Sequence, residues 1–204
     1  VYPLTEWPLI DPTSAEGFKA VFYQVFVGVL MGILLQIVNA ALIIGGHAVS
    51  ASMGLSMANM VDPSMGNVPV IAQFFVICST LIFLGLGGHV LVISLLLESF
   101  ELLPINSALD LQGLLKLTIE WSAMMFFGAI LIGLPLMASL LFINIGLGVI
   151  TRAAPALNIF AVGFPAMILA GIVLLSLSMT SIGYRIQWLW QESFEIIGQA
   201  LGIR

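Results

Sequence analysis

The stretch TRAAPALNIFAVGFP, from Thr151 to Pro165, interrupts a chain that otherwise consists mostly of long apolar runs. Arg152 ends one run, and Pro155 suits the first turn of a new helix, where its missing amide hydrogen would have no partner. Pro165 removes another backbone donor close to Gly163, which also weakens a helix. The stretch therefore predicts a helical hairpin with a kink after its bend. Arg152 either anchors this hairpin at an interface or bonds to exposed carbonyls or an acid of a neighbouring chain.

The composition is that of a membrane protein. Of 204 residues, 61% are hydrophobic and 7% are charged, against about 25% charged residues in soluble domains. Uncharged stretches at 20–61, 63–97, 121–151 and 153–184 each exceed the roughly 20 residues that cross a bilayer. The net charge of -5 provides no basic patch for nucleic acid. We therefore expect membrane lipid, and no nucleic acid, around this chain.

The pattern of apolar runs predicts an all-α protein that forms a single helical domain over residues 1–204. Four long helices are expected, at about 18–44, 68–97, 121–150 and 157–184. Asn106 and Ser107 are candidate caps of a short amphipathic helix between the second and third. After Arg185, apolar residues at helical spacing predict a further amphipathic helix that lies on a membrane surface or a partner, with Ile186, Leu189, Trp190, Phe194, Ile197 and Leu201 on its apolar face.

Polar side chains within the apolar runs predict contacts between helices. Gln36 and Asn39 share one helical face, and Gln73 and Thr80 share another. Such side chains either bond to neighbouring helices or line a water-filled pathway. Both interpretations require protein neighbours for these helices.

The connection after the first predicted helix is rich in methionine and in residues that interrupt regular structure. Methionine is unbranched and polarizable, so a cluster of methionines can close around irregular surfaces and repack when something moves past. The alternative is a re-entrant loop in which methionine only fills the core. Irregular backbone at membrane depth must be buried in protein or line a cavity. Both interpretations of this segment therefore require surrounding helices. The residues concerned are Met53, Gly54, Met57, Met60, Asp62, Pro63 and Met65.

No group of side chains in the sequence indicates catalysis. The two histidines, His47 and His89, fall short of the three protein ligands usual for catalytic zinc, and no HExxH or GxSxG motif occurs. A haem held by these histidines and an intramembrane enzyme are weaker alternatives. We expect no enzyme, no metal site and no cofactor.

The sequence RAAPALNIFAVGFP resembles the signature of the FliR family, the export-gate subunits of the bacterial flagellar type III secretion system, whose injectisome relatives are the SctT proteins. Two further blocks resemble this family in the same order: SMGLSMANMVDPSMG, which is similar to its pore plug, and GHVLVISLLLESFELLP. Ala156 departs from the usual Gln of the signature, and Ala166 and Met167 stand where many members have a Lys nearby. The matching signature positions are Arg152, Pro155, Asn158, Phe160, Gly163 and Pro165.

The resemblance implies a structural subunit of a gate in the bacterial inner membrane, within the flagellar basal body. It implies bent helical hairpins, with a FliP-like part followed by a FliQ-like part, assembled with FliP, FliQ and FlhB homologues. Unfolded secretion substrates would pass this gate, which the methionine-rich segment would plug. Helices enclosed by other subunits also accommodate Gln36, Asn39, Gln73 and His89 as polar interhelical residues. Family members usually carry hydrophobic sequence before a stretch like VYPLTEWPLIDP, so we expect this chain to lack an amino-terminal segment.

A self-contained, multi-span solute transporter or channel subunit is the main alternative. Such proteins usually contain internal repeats and a binding site near the middle of the membrane. The sequence shows no convincing repeat and no charged residue inside its apolar runs. These features favour the gate subunit.

Overall fold

The computed structural model describes residues 11, 13–55, 70–103, 110–153 and 159–202. Regular structure in these ranges is helical, which confirms the predicted all-α fold class for this part of the chain. The helices are α1 Ala15–Ser52, α2 Val70–Gly85, α3 Gly88–Leu102, α4 Leu111–Ser122, α5 Met124–Ala153 and α6 Ile159–Ala200.

Helix α1 lies at the centre of the fold. It packs most extensively against α5, then against α2 and α6, while α5 and α6 also pack on each other. One buried cluster joins these four helices and includes Val38, Leu42, Val49, Phe75, Ile132, Leu136, Ile186 and Leu189. A second cluster lies near the amino-terminal half of α1 and includes Val27, Met31, Leu34, Trp121, Ile197 and Leu201. The core therefore depends on one long helix that three others surround.

Helix α1 continues past the end that the sequence predicts. The prediction ended it near Ile44, before Gly45 and Gly46, whereas the helix runs to Ser52. A methyl group at Gly46 would lie 2.7 Å from the backbone nitrogen of Ala72 in α2, and one at Gly45 would lie 3.1 Å from the carbonyl oxygen of Ala129 in α5. The two glycines let neighbouring helices approach closely instead of ending α1, so the predicted end was wrong.

The second predicted helix is broken into α2 and α3, which bend by 66° at the break. Gly87 caps α3 in the left-handed region at φ 71°, a conformation that glycine adopts without steric cost. A methyl group at Gly88 would lie 2.9 Å from the carbonyl oxygen of Phe83. The prediction of one long helix at about 68–97 was therefore wrong, because this glycine pair turns the chain.

The predicted short amphipathic helix is α4, and it leads almost directly into α5. The Asp110 carboxylate accepts a hydrogen bond from the Gly113 amide at 3.0 Å and caps the helix, as short acidic side chains do. The candidate caps Asn106 and Ser107 lie outside the described residues. At the other end of α4, Trp121 is buried in the second core cluster.

The carboxy-terminal tail is part of α6 and does not form a separate helix. Ile186, Leu189 and Trp190 are buried in the first cluster, and Ile197 and Leu201 in the second. The predicted docking of this face on a membrane or partner was therefore wrong. The amphipathic pattern identified a buried face, but that face packs against α1 and α2 of the same chain.

By length and composition, three segments of the described chain could cross a membrane: α1, the consecutive α4 and α5, and the part of α6 from Val162 to Ala200. The bent pair of α2 and α3 makes a fourth if it counts as one span. The 38 residues of α1 extend for about 57 Å at 1.5 Å per residue, nearly twice the hydrocarbon thickness of about 30 Å. Part of α1 must therefore project beyond the hydrocarbon layer if the helix spans it.

Candidate functional site at the start of the methionine-rich loop and the signature hairpin

The methionine-rich segment begins where α1 ends. The Met53 amide still bonds to the Val49 carbonyl, and the Gly54 amide bonds to the Ala51 carbonyl, both at 3.0 Å. Gly54 has φ 80°, so the chain leaves α1 through a left-handed glycine, a common way for helices to end. Of the predicted plug residues, Met57, Met60, Asp62, Pro63 and Met65 lie outside the described residues.

Met53 is packed tightly against α6. Its side chain is 1% exposed, and it shares the first core cluster with Met167. A methyl group at Gly171 would lie 2.7 Å from Met53 Cγ and 2.9 Å from Met53 Sδ, so the missing side chain of this glycine makes room for the methionine. A methyl group at the adjacent Gly54 would lie 3.5 Å from the ring of Phe164. The first residues of the methionine-rich segment are thus held against α6, the helix that carries the end of the signature.

The signature residues lie at the ends of two helices that pack on each other, α5 and α6. Arg152 is exposed in the last turn of α5, where a cation interacts favourably with the helix dipole. Phe160 lies in the first turn of α6, and Gly163 is buried further along. Pro165 is exposed, and α6 continues through it to Ala200. Pro155 and Asn158 lie outside the described residues.

Comparison with known proteins decides the family. Residues 3–193 match the sequence model of the bacterial export proteins, family 1. The flagellar biosynthetic protein FliR of Pectobacterium carotovorum subsp. carotovorum is 34% identical over 200 residues, which cover 98% of this chain and 76% of that protein. The chain belongs to the FliR family.

Other FliR proteins show a similar degree of identity. That of Escherichia coli K12 is 34% identical over 87% of this chain and 69% of its own length. That of Aquifex aeolicus is 31% identical over 93% of this chain and 73% of its own length. The family membership predicted from the three sequence blocks is therefore confirmed.

The polar residues predicted to lie between helices do not join helices of this FliR-family chain in its described part. The Asn39 amide donates to Gln36 Oε1 at 3.5 Å, within α1. Gln36, Gln73 and His89 are exposed on α1, α2 and α3 respectively. These three side chains are exposed in the described structure, so the prediction that they form interhelical hydrogen bonds stays a prediction.

Other side chains, which sequence reasoning missed, supply the polar contacts between helices in this FliR-family fold. Trp190 Nε1 donates to Ser79 Oγ at 2.9 Å, with both residues buried. Trp121 Nε1 donates to the Leu34 carbonyl at 3.2 Å. Buried tryptophans generally need a partner for the indole N–H, so the sequence could indicate the donors but not the acceptors.

Titratable side chains form no recognisable reaction centre in the described ranges. No three His, Cys, Asp or Glu side chains come together there in a way that could hold a metal ion. His47 and His89 are exposed at separate points of the fold, on α1 and α3. In the described part, the arrangement can hold helices in place, and it offers no group of side chains suited to bond-breaking chemistry.

Proposed function

We propose that this chain is a structural, non-enzymatic subunit of the flagellar type III export gate, in the inner membrane part of the flagellar basal body. Unfolded flagellar proteins would leave the cytoplasm through this gate, with energy supplied by other components. Membership of the FliR family supports the assignment, since the matching relatives are flagellar biosynthetic proteins. The single structural observation that carries it is the packing of Met53 on Gly171.

The plug of this gate would be the segment from Met53 to Met65, including Gly54, Asp62 and Pro63. Close helix contacts fix this segment at both ends: its first residue, Met53, packs on Gly171, and Ala72, which follows the segment, lies against Gly46. A segment tethered at two points can move aside and return to the same place. The unbranched side chains of Met57, Met60 and Met65 would part around a passing chain and close again behind it.

Partner subunits homologous to FliP, FliQ and FlhB would cover much of the remaining surface. Large apolar side chains are exposed along α1, α5 and α6, including Phe18, Phe22, Phe142, Leu169 and Leu177. Lipid alone would satisfy these apolar side chains, so they do not by themselves require partner subunits.

Polar groups on the same surface favour protein neighbours. Gln36 and Gln73 are exposed on apolar helices, and a polar side chain in contact with lipid lacks a hydrogen-bond partner, which neighbouring helices supply. The proposed partners would provide such helices.

The proposal is tested in the bacterium that carries this gene. We expect deletion of the gene to stop flagellar protein secretion and motility, and expect the tagged full-length protein to restore both. In mild detergent, the tagged protein should copurify with homologues of FliP, FliQ and FlhB. Purification of the chain alone, together with solute uptake when it is placed in liposomes, would contradict the gate and favour a self-contained transporter.

A further inference from the structure

The carbonyl of Leu131 in α5 lacks its ordinary helical donor. In an α-helix each carbonyl accepts a hydrogen bond from the amide four residues later. For Leu131 that residue is Pro135, which lies inside α5 and has no N–H to donate. Proline inside a helix therefore leaves an acceptor open, and an open acceptor in an apolar environment is costly.

Arg185 of α6 supplies a donor to this carbonyl. Its Nη1 group donates a hydrogen bond to the Leu131 oxygen. Arg185 is half-buried, and residues close to the bonded pair in sequence are buried: Ile132 and Leu136 in α5, and Ile182 and Ile186 in α6. The bond between the two helices is thus partly buried, next to the packed core of their interface.

Arginine is chemically suited to this position. Its guanidinium is planar, carries five N–H donors and is less strongly hydrated than an ammonium group, so it loses less when it leaves water. Among the described residues, the ion pair within 4 Å joins Lys116 and Glu120, far along the chain from Arg185. The Arg185 side chain instead donates to a backbone carbonyl, so its role differs from that of an ordinary salt bridge.

We propose that Arg185 is a positioning residue of the α5–α6 hairpin, whose guanidinium replaces the helical N–H that Pro135 lacks. The bond ties one point of α6 to one point of α5 and so fixes the register of the two helices. Gly163 and Gly171 lie further towards the amino-terminal end of α6. The register therefore determines where the signature and the Met53 contact are placed.

A double-mutant cycle on the full-length protein tests this inference. Arg185→Met leaves the Leu131 carbonyl unpartnered and should lower the folding equilibrium constant in mild detergent about tenfold. Pro135→Ala restores the helical amide at position 135. In that background, Arg185→Met should therefore lower the folding equilibrium constant only about threefold or less. Arg185→Lys keeps a cationic donor and should recover part of the loss.

Pro165→Ala provides the matched control, because it removes a proline from α6 at a distance from Arg185. Arg185→Met should retain its full tenfold effect in the Pro165→Ala background. If Arg185→Met prevents purification, the amount of full-length protein recovered from membranes is compared across the same backgrounds, with the same expected order. The proposal would be overturned if Arg185→Met lowered the folding equilibrium constant equally in the presence and absence of Pro135. It would also be overturned if Pro165→Ala reduced the effect of Arg185→Met as much as Pro135→Ala does.

Discussion

The close approach of α1 and α2 at Gly46 gives the sharpest prediction for stability. A methyl group built at Gly46 lies 2.7 Å from the backbone nitrogen and 2.8 Å from the Cβ of Ala72. Comfortable contacts between such atoms need about 3.5–4.0 Å, so Gly46→Ala requires the helices to separate by about 1 Å. Backbone atoms cannot relieve the overlap by a rotamer change, which distinguishes this site from one that faces a flexible side chain.

Gly32 offers a matched control in the same helix. A methyl group there would meet no other atom within 4 Å, and both substitutions gain the same helix propensity of about 1 kcal/mol. The difference in unfolding free energy between Gly46→Ala and Gly32→Ala therefore isolates the cost of the steric overlap. Inserting a methyl into a well-packed site costs about 1–3 kcal/mol, and we expect about 2 kcal/mol, or roughly 30-fold in the folding equilibrium.

The assay is reversible unfolding of the full-length protein in mixed detergent micelles, as SDS is added. Fluorescence of the buried Trp121 and Trp190 would report the loss of packing. Gly32→Ala should match or slightly exceed the parent in stability, and Gly46→Ala should unfold at clearly lower SDS. Equal midpoints for the two variants would refute the close contact between α1 and α2.

Contacts of single side chains can also be tested by substitution. A methyl group at Gly171 would lie 2.7 Å from the γ atom of residue 53, so Gly171→Ala should displace this side chain, and a cysteine placed there by Met53→Cys, with Cys78→Ser to remove the natural thiol, should react with maleimide several-fold faster. Trp190→Phe should cost about 1–3 kcal/mol in the unfolding assay, because the buried Ser79 hydroxyl loses its partner; adding Ser79→Ala should cost less than the sum of the two single changes. Replacement of the Asp110 cap by Ala should destabilise α4 by about 1 kcal/mol, measured by hydrogen exchange of its first-turn amides.

An unchanged maleimide rate would show that Gly171 does not hold Met53 in place. Strictly additive costs for Trp190→Phe and Ser79→Ala would remove the proposed coupling between the two residues. Equal amide exchange in Asp110→Ala and in an Asp110→Asn control, which retains a capping oxygen, would show that the cap adds nothing.

Hydrophobic pattern predicted the helices well and their ends poorly. The apolar runs of α1, α5 and α6 exceed any strand in length, so periodicity and charge gaps are sufficient to identify them. Two Gly-Gly-His sequences then behave differently: Gly45 and Gly46 sit inside α1, whereas Gly87 turns the chain. The difference depends on which backbone lies beside each glycine, and a local pattern does not contain that information.

The candidate site shows the same limit. The signature blocks identified Met53 and Gly163 as positions of interest, but the contact of Met53 with Gly171 requires packing over a long sequence separation. The amphipathic pattern of the tail likewise indicates that one face is buried, but it does not show what covers that face. In the structure, Trp190 on this face packs within the core of the same chain. Nothing in the local sequence connects Arg185 with Pro135, because the link exists only when α5 and α6 are side by side.

We propose that the segment after Met53 closes a protein-conducting pore. The most direct measurement is the ion conductance of the purified, assembled gate in a planar bilayer, with residues 56–67 of this subunit deleted. A milder variant replaces Met57, Met60 and Met65 by Ala, and copurification of the partner subunits controls for assembly in both. We expect conductance to rise above that of the intact gate, most strongly for the deletion. An assembled gate whose conductance does not change would contradict it.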